Sequence, residues 1–287
     1  MQFSVAELPL ALFTTLAPLG AGAFVALACA FFTTKLEDGQ LKKVDRASII
    51  PLAIVIVGFI CAFFHLANPL NAPSVFMGAG SPMSNEIIVG CLFTLVAIVY
   101  VIVANLGKLS ASARKGFSAV VAVLAAVFAV FTGMAYVMST IATWNTPLVP
   151  VQMLGFCLVG GAATAALVLA CAGVWPNVRK GSFKTALAVV AAAGAVLAIV
   201  GLAGQLACAS GMGNALVSGA DLVSAALLPA IVGLVLIVVA AACVVVALKK
   251  DSATALAAVA VIAAVAGIFL ARMAFYAIQM SVGIYLG

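Results

Sequence analysis

Eight long apolar runs constrain this chain more than any other feature. Each is close to the ~20 residues that an α-helix needs to cross a bilayer, and the alternation typical of a transmembrane barrel is absent. With 67% hydrophobic and only 7% charged residues, the composition excludes a soluble domain. We therefore predict an all-α integral membrane protein, a single transmembrane domain over residues 1–287 that forms a bundle of eight helices. The predicted spans are about 8–33, 49–67, 87–106, 117–139, 148–173, 185–208, 222–247 and 254–283.

The basic residues predict the orientation of this bundle. All thirteen Lys and Arg residues except Arg272 follow the odd-numbered spans or begin the even-numbered ones, and the other connections carry none. Because positive loops stay in the cytoplasm, we expect both termini and the stretch 63–86 on the outer side. The net charge of +6 is thus a topology signal, and we expect no nucleic-acid partner. A basic face for anionic lipid is a weaker companion interpretation.

Arg272 is unusual because it lies inside the last predicted span. An arginine at the centre of a membrane helix costs roughly 2.5–3.5 kcal/mol on insertion scales, so it should face the bundle interior and have a partner. Two interpretations stay open, a structural ion pair with Asp221 or Glu86 and a role facing a ligand. The two tryptophans, Trp144 and Trp175, are interpreted as anchors at the membrane interface.

The sequence also predicts how the later helices pack and what the first basic connection forms. Spans five to eight contain Gly155, Gly160, Gly161 and Gly194 among many Ala and Val residues, a composition that predicts closely packed helices. The first basic connection, KLEDGQLKKVDR, mixes both signs of charge and predicts a solvated connector.

The stretch 63–86, FFHLANPLNAPSVFMGAGSPMSNE, holds the single histidine of the protein and one of its seven acidic residues. Its prolines and glycines exclude a regular helix and predict a shaped external loop. Ser84 or Asn85 is expected to cap the next span, with Glu86 in its first turn.

The residues that the sequence contains exclude several kinds of cofactor and nucleotide site. One histidine cannot ligate a haem from both sides, the seven cysteines form no CxxC pair, and phosphate-binding loops are absent. Quinol oxidation needs proton acceptors beside an apolar slot. The unperturbed pKa of a histidine, ~6.5, suits His65 to accept a proton, and Glu86 could share the protons, with Phe63, Phe64 and Leu66 as apolar walls. From periodicity alone, an ordinary interfacial histidine is the simpler interpretation of His65, and a helix-start carboxylate that of Asp221.

Three motifs change that balance. HLANP at 65–69, SNE at 84–86 and ELPLALFT at 7–14, together with the eight spans, resemble the DmsC family of membrane anchor subunits of dimethyl sulfoxide reductase-type complexes. The resemblance implies an anchor without haem or metal that binds and oxidises menaquinol. It also implies an iron–sulfur subunit and a molybdopterin catalytic subunit as partners, in the cytoplasmic membrane of a bacterium or archaeon.

The resemblance also assigns residues. It carries the quinol site to His65 and Glu86, and Arg272 with Phe275 and Tyr276 looks like the family's last span. No residue of the protein is expected to be catalytic by itself. Three alternatives remain: a quinone-reactive anchor of the NrfD type, a small-solute transporter and a purely structural anchor. The candidate lining of the quinol pocket is Phe64, Asn68, Ser84, Asn85, Asp221 and Tyr276.

Overall fold

The computed structural model describes residues 7–64, 78 and 80–281. Within these residues eight helices are long and apolar enough to cross a membrane, one of them formed by two consecutive segments. The same residues contain no β-strand beyond two isolated bridges. The predicted all-α membrane bundle is therefore confirmed, while the side that each terminus faces stays a prediction. The long helices are α1 (Leu8–Thr33), α3 (Ile49–Phe63), α4 (Pro82–Asn105), α5 (Ala111–Met134), α6 (Leu148–Cys171), α8 (Ser182–Ser210), α9 (Gly219–Ala247) and α10 (Thr254–Ala277). The short elements are α2 (Asp38–Ala47), a 3-10 turn (Ala142–Trp144) and α7 (Trp175–Val178).

The start of α4 differs from the prediction. The Ser81 side chain accepts a hydrogen bond from the Ser84 backbone N–H at 3.2 Å, and Pro82 occupies the first helical position. A serine cap followed by proline is a favourable helix start, because the cap satisfies a free N–H and proline has none to satisfy. The prediction that Ser84 or Asn85 caps this span is wrong. Glu86 consequently lies beyond the first turn.

The first basic connection is also not a solvated connector. Its residues form α2, which begins with a capping box between Glu37 and Gln40. The Asp45 carboxylate is buried and accepts two hydrogen bonds from Arg114, from Nε at 3.2 Å and from Nη2 at 2.7 Å. The prediction is wrong because one face of α2 packs against the bundle through this buried ion pair.

Two helices form the centre of the bundle. In α1 and α6, 78% and 72% of the most apolar stretch is buried, against 28–39% in the other six spans. The two backbones meet at Gly22 and Gly161, where a Cβ atom on Gly161 would overlap backbone atoms of Gly22 and one on Gly22 would overlap those of Cys157. Gly155 and Gly194 bring α6 and α8 together in the same way. The predicted close packing through glycine is confirmed.

The bundle has two chemically different ends. We call one the basic end, because α2, the connections there and the first five residues of α5 and of α8 carry every Lys and Arg except Arg272. At the other end, here the opposite end, α4, α6 and α9 begin and α5, α8 and α10 finish. The candidate site lies at the opposite end.

Candidate functional site

Arg272 occupies the centre of the site. It is 0% exposed, as expected for an intramembrane arginine that faces the bundle interior. Its guanidinium carbon lies 4.0 Å from the ring centroid of Phe275, 4.7 Å from that of Tyr136 and 4.8 Å from that of Tyr276. These distances are within the range of cation–π attraction, which is strongest where water is excluded. We call Arg272 with these three rings the Arg272 cage.

Hydroxyl groups fix the guanidinium within the cage. Arg272 Nε donates to Thr14 Oγ1 and Nη2 donates to the Tyr276 hydroxyl, both at 2.9 Å. Thr14 donates its own proton to the Leu10 carbonyl at 2.8 Å, so its oxygen is left to accept from the arginine. Tyr276 lies four residues after Arg272 on the same face of α10, and its hydroxyl is 2.8 Å from that of Tyr136.

No carboxylate forms a salt bridge with Arg272 in the described part of the protein. The ion pairs found there join Arg114 to Asp45 and Arg179 to Asp251. The interpretation of Arg272 as half of an ion pair with Asp221 or Glu86 is therefore wrong. The cation is stabilised by aromatic faces and hydroxyl oxygens.

Glu86 is the acidic group of the site. It is 9% exposed on α4, and its carboxylate lies beside the Thr132 side chain of α5, within the electrostatic influence of Arg272. Two buried side-chain atoms, Glu86 Oε1 and Arg272 Nη1, have no hydrogen-bond partner among the described residues. An unsatisfied buried polar atom is costly, more so when charged. The site is thus suited to a ligand that gives these two atoms the partners they lack there.

An outer layer holds the cage in place. The Trp144 ring stacks on Phe275 with centroids 4.7 Å apart, and its indole N–H donates to the Phe275 carbonyl at 3.1 Å. Trp144 is buried, so its interpretation as an interfacial anchor is wrong. The neighbouring Thr143 donates to the Ile278 carbonyl at 2.7 Å, which ties this connection to the end of α10.

Two buried glutamines extend this layer into the bundle. Gln152 donates to Gln205 at 2.7 Å, and Gln205 donates to the Thr143 carbonyl at 3.0 Å. The sequence patterns did not single out Thr14, Tyr136, Gln152 or Gln205 for the site. The glutamines carried a usable signal, because polar side chains are rare inside apolar spans and usually face the bundle. Tyr136 carried none, and Thr14 closes the ELPLALFT motif, which indicated the family but gave Thr14 no role.

The other residues predicted to line the quinol pocket do not lie together. Ser84 is buried and its hydroxyl accepts from that of Ser81 at 2.8 Å, whereas Asn85 accepts from the Gly80 N–H at 3.3 Å. Phe64 is 75% exposed at the end of α3, and Asp221 is exposed in the first turn of α9. The structure therefore brings together Glu86, Arg272 and Tyr276 but does not add Phe64 or Asp221 to them. His65 and Asn68 lie outside the described residues.

An apolar groove of about 480 Å³ runs between α3 and α4 on the membrane-facing surface. Its floor residue Phe59 also packs against Phe13 and Phe128, with ring centroids 5.4 and 5.6 Å apart. Gly90, one turn after Glu86, faces the same Phe59 and Phe128 rings. Phe59 thus contacts both this groove and the turn of α4 that follows Glu86. Its lining residues are Ile56, Phe59, Ile60, Phe63, Cys91, Thr94, Leu95 and Ile98.

A second apolar groove, of about 410 Å³, lies between α1 and α10. Its lining includes Thr15 and Phe269, which are close in sequence to Thr14 and Arg272 of the site. The two helices that carry Thr14 and Arg272 thus also line a second apolar surface.

These features define a class, a multi-pass helical membrane protein with an incompletely satisfied charged site near one end of its bundle. The chain belongs to the family described as DMSO reductase anchor subunit (DmsC), whose sequence model matches residues 1–278. The resemblance indicated by its three motifs is confirmed.

Three proteins with similar sequences are named as subunits of anaerobic dimethyl sulfoxide reductases. The protein is 29% identical over 181 residues to the C subunit of anaerobic dimethyl sulfoxide reductase from Haemophilus influenzae, covering 63% of each protein. It is 28% identical over 192 residues to the YnfH subunit of an anaerobic dimethyl sulfoxide reductase from Escherichia coli, covering 67% of each. It is also 30% identical over 170 residues to the C subunit of anaerobic dimethyl sulfoxide reductase from that organism, covering 58% of this protein and 59% of the relative. The matches thus span about three-fifths to two-thirds of these relatives. No solved structure matches the protein.

Proposed function

We propose that this protein is the membrane anchor of a dimethyl sulfoxide reductase-type complex, and that it binds and oxidises menaquinol at Glu86 and Arg272. In this proposal the electrons pass to an iron–sulfur subunit and then to a molybdopterin reductase subunit. The complex would reside in the cytoplasmic membrane, and the anchor itself would hold no haem. One observation carries the proposal: a member of this family buries Glu86 Oε1 and Arg272 Nη1 at one end of its bundle, without partners among the described residues.

The two buried atoms without partners among the described residues, Glu86 Oε1 and Arg272 Nη1, suit a quinol, which must lose a proton and be held in place. Oxidation of a quinol to a quinone releases two protons and two electrons. Glu86 as a carboxylate accepts a proton from one hydroxyl, while the free N–H of Arg272 donates to a quinol oxygen and orients the ring. His65, chosen from its motif, is proposed to accept the other proton. The Arg272 charge also stabilises the electron density that develops on the quinol oxygen as its proton leaves.

The grooves supply a path for an apolar substrate. A quinol carries a long hydrocarbon tail, and the groove between α3 and α4 offers it an apolar surface whose Phe59 also contacts Gly90, one turn after Glu86. We therefore propose access from the bilayer between these helices. If the opposite end faces outward, protons and electrons leave on the same side and turnover builds little or no membrane potential. Strong charging of vesicles during quinol oxidation, read with a potential-sensitive dye, would refute that orientation.

The decisive experiment replaces Glu86 by glutamine in the intact complex. Glu86→Gln keeps the shape of the side chain but removes the proton acceptor, and quinol oxidation should fall roughly 10²- to 10⁴-fold, the usual contribution of a general base. Asp221→Asn is the matched control, because Asp221 is exposed at the same end and forms no salt bridge with Arg272. Its turnover should stay near that of the unmodified protein.

The anchoring role is tested separately on purified material. Affinity purification from native membranes under mild conditions should bring down molybdenum or tungsten with abundant iron and no haem bands. Co-purification of these metals with Glu86→Gln at unchanged yield would show that assembly does not need the quinol site. Normal quinol oxidation by Glu86→Gln would remove Glu86 from the proposed site, and absence of any binding of a quinol analogue would leave a purely structural anchor. Solute uptake by the protein alone in liposomes would instead favour a transporter.

A further inference from the structure

The basic end holds an opening that the quinol chemistry does not use. It lies between α2, the start of α3 and the end of α6, and has a volume of about 580 Å³. Its polar side is formed by Lys43 and Arg46, and the rest of its lining is Ala47, Ile50, Cys171, Ala172 and Gly173.

The two cations of this opening have no anionic partner among the described residues. Both side chains are exposed, and neither forms a salt bridge with a carboxylate in that part of the protein. Asp45, the acidic residue nearest to them in sequence, is buried and bound to Arg114 at 2.7 Å. The positive charge of the opening is thus available to an anionic ligand.

An apolar stripe continues from the cations into the membrane region. Ser48 joins α2 to α3 with backbone torsions of φ −65° and ψ −11°, so the helical path is kept across the junction. Lys43, Arg46, Ile50 and Val57 are spaced by three, four and seven residues and so share one face. Ile50 and Val57 are 45% and 47% exposed, as expected for side chains that face lipid.

Cations followed by an exposed apolar stripe match the two parts of a phospholipid. We propose that this opening binds the headgroup of an anionic phospholipid, with its phosphate at Lys43 and Arg46 and its acyl chains along the Ile50–Val57 face of α3. A free phosphate ion would leave the apolar stripe uncovered, whereas a lipid satisfies both parts. Basic pockets between membrane helices at the cytoplasmic side are known to bind anionic headgroups.

The test compares two lipids with identical acyl chains on the purified full-length protein, together with any subunits that it retains. Native mass spectrometry should show tighter binding of phosphatidylglycerol than of phosphatidylcholine. Lys43→Gln combined with Arg46→Gln should weaken phosphatidylglycerol binding by roughly 30-fold, since each basic residue near a membrane surface contributes about 1 kcal/mol. Phosphatidylcholine binding should not change.

Lys249→Gln combined with Lys250→Gln is the matched control, because it removes two charges from the same end without touching this opening. The proposal is overturned if the control loses as much binding, or if the unmodified protein binds both lipids equally. It is also overturned if inorganic phosphate alone binds with the same dependence on Lys43 and Arg46. Should the double variant not fold, added salt must reduce phosphatidylglycerol binding to the unmodified protein, and no salt dependence would refute the site.

Discussion

Arg114 and Arg272 are both buried in this bundle, and their surroundings are unlike. Arg114, at the basic end, is 6% exposed and binds the Asp45 carboxylate through two hydrogen bonds. Arg272, at the opposite end, is 0% exposed and has aromatic rings and two hydroxyls instead, with Nη1 left unpartnered among the described residues. A paired arginine with its hydrogen bonds made is typical of a structural contact. A buried cation that keeps an N–H without a partner calls for an explanation, such as a ligand that accepts a hydrogen bond from it.

The difference shows where this fold accepts an energetic cost. At the basic end the charge joins α2 to α5, and the Asp45 carboxylate is satisfied by the protein itself. At the opposite end Glu86 and Arg272 each keep one atom without a partner among the described residues, within electrostatic reach of the other. A bound quinol would remove that cost, so the incompleteness of the second site is part of its proposed function.

The largest expected effect is the loss of the Asp45–Arg114 pair. Asp45→Ala leaves the buried Arg114 without its counter-ion and should lower the free energy of unfolding by about 3–5 kcal/mol, the usual penalty for half of a buried pair. Unfolding in mixed detergent micelles measures this. Replacement of both residues, with Asp45→Leu and Arg114→Met, should recover most of the loss. A single variant as stable as the unmodified protein would show that the pair is not structural.

Arg272→Gln should lower quinol oxidation more than it lowers stability, the reverse of what is expected for Asp45→Ala. Glutamine can still donate to Thr14, but the positive charge and the free N–H are gone. Loss of a hydrogen bond to a charged group costs roughly 1.5–3 kcal/mol, so quinol oxidation should fall about 10- to 100-fold. Because no salt-bridged carboxylate loses its partner, stability should fall less than for Asp45→Ala. Steady-state oxidation of a soluble menaquinol analogue and the same unfolding assay give the two values, and a larger loss of stability than of turnover would contradict the comparison.

The fold could be predicted from the sequence better than the site could. Apolar run length located all eight spans, and Lys and Arg placement separated the two ends, because both signals are averaged over many residues. The cap of α4 was misplaced because Ser81, Ser84 and Asn85 are all good caps, and only the backbone decides among them. Trp144 and Trp175 were both interpreted as interfacial anchors, yet both are buried with the indole N–H bound to a carbonyl.

The Arg272 cage could be predicted only in part. An arginine in a span must face inward, and that expectation followed from its cost in lipid. Its partners come from α1, from the segment after α5 and from α10 itself, and such distant contacts leave no periodic pattern in the sequence. One interpretation therefore paired Arg272 with a carboxylate, whereas it contacts Thr14, Tyr136 and Tyr276.

A smaller effect should distinguish the two apolar grooves as routes for the quinol. Leu95→Trp places a large ring in the groove between α3 and α4, where Leu95 is 61% exposed. The KM for quinol should rise several-fold while kcat changes little, because access is hindered and the Glu86 site is intact. Ile262→Trp fills the groove between α1 and α10 and is the matched control. A rise in KM with Ile262→Trp alone would move quinol access to that side.

The smallest effect should come from the support of the cage. Trp144→Phe keeps an aromatic ring against Phe275 but removes the indole N–H that binds the Phe275 carbonyl at 3.1 Å. One net hydrogen bond contributes about 1 kcal/mol, so quinol turnover should fall by a few fold as the cage loosens. Trp175→Phe removes the equivalent bond to the Lys250 carbonyl, 3.2 Å long, at the basic end and should leave turnover unchanged. A larger loss of turnover with Trp144→Phe than with Trp175→Phe would place the function at the end that holds Arg272. Equal losses would mean that Trp144 acts only through general stability.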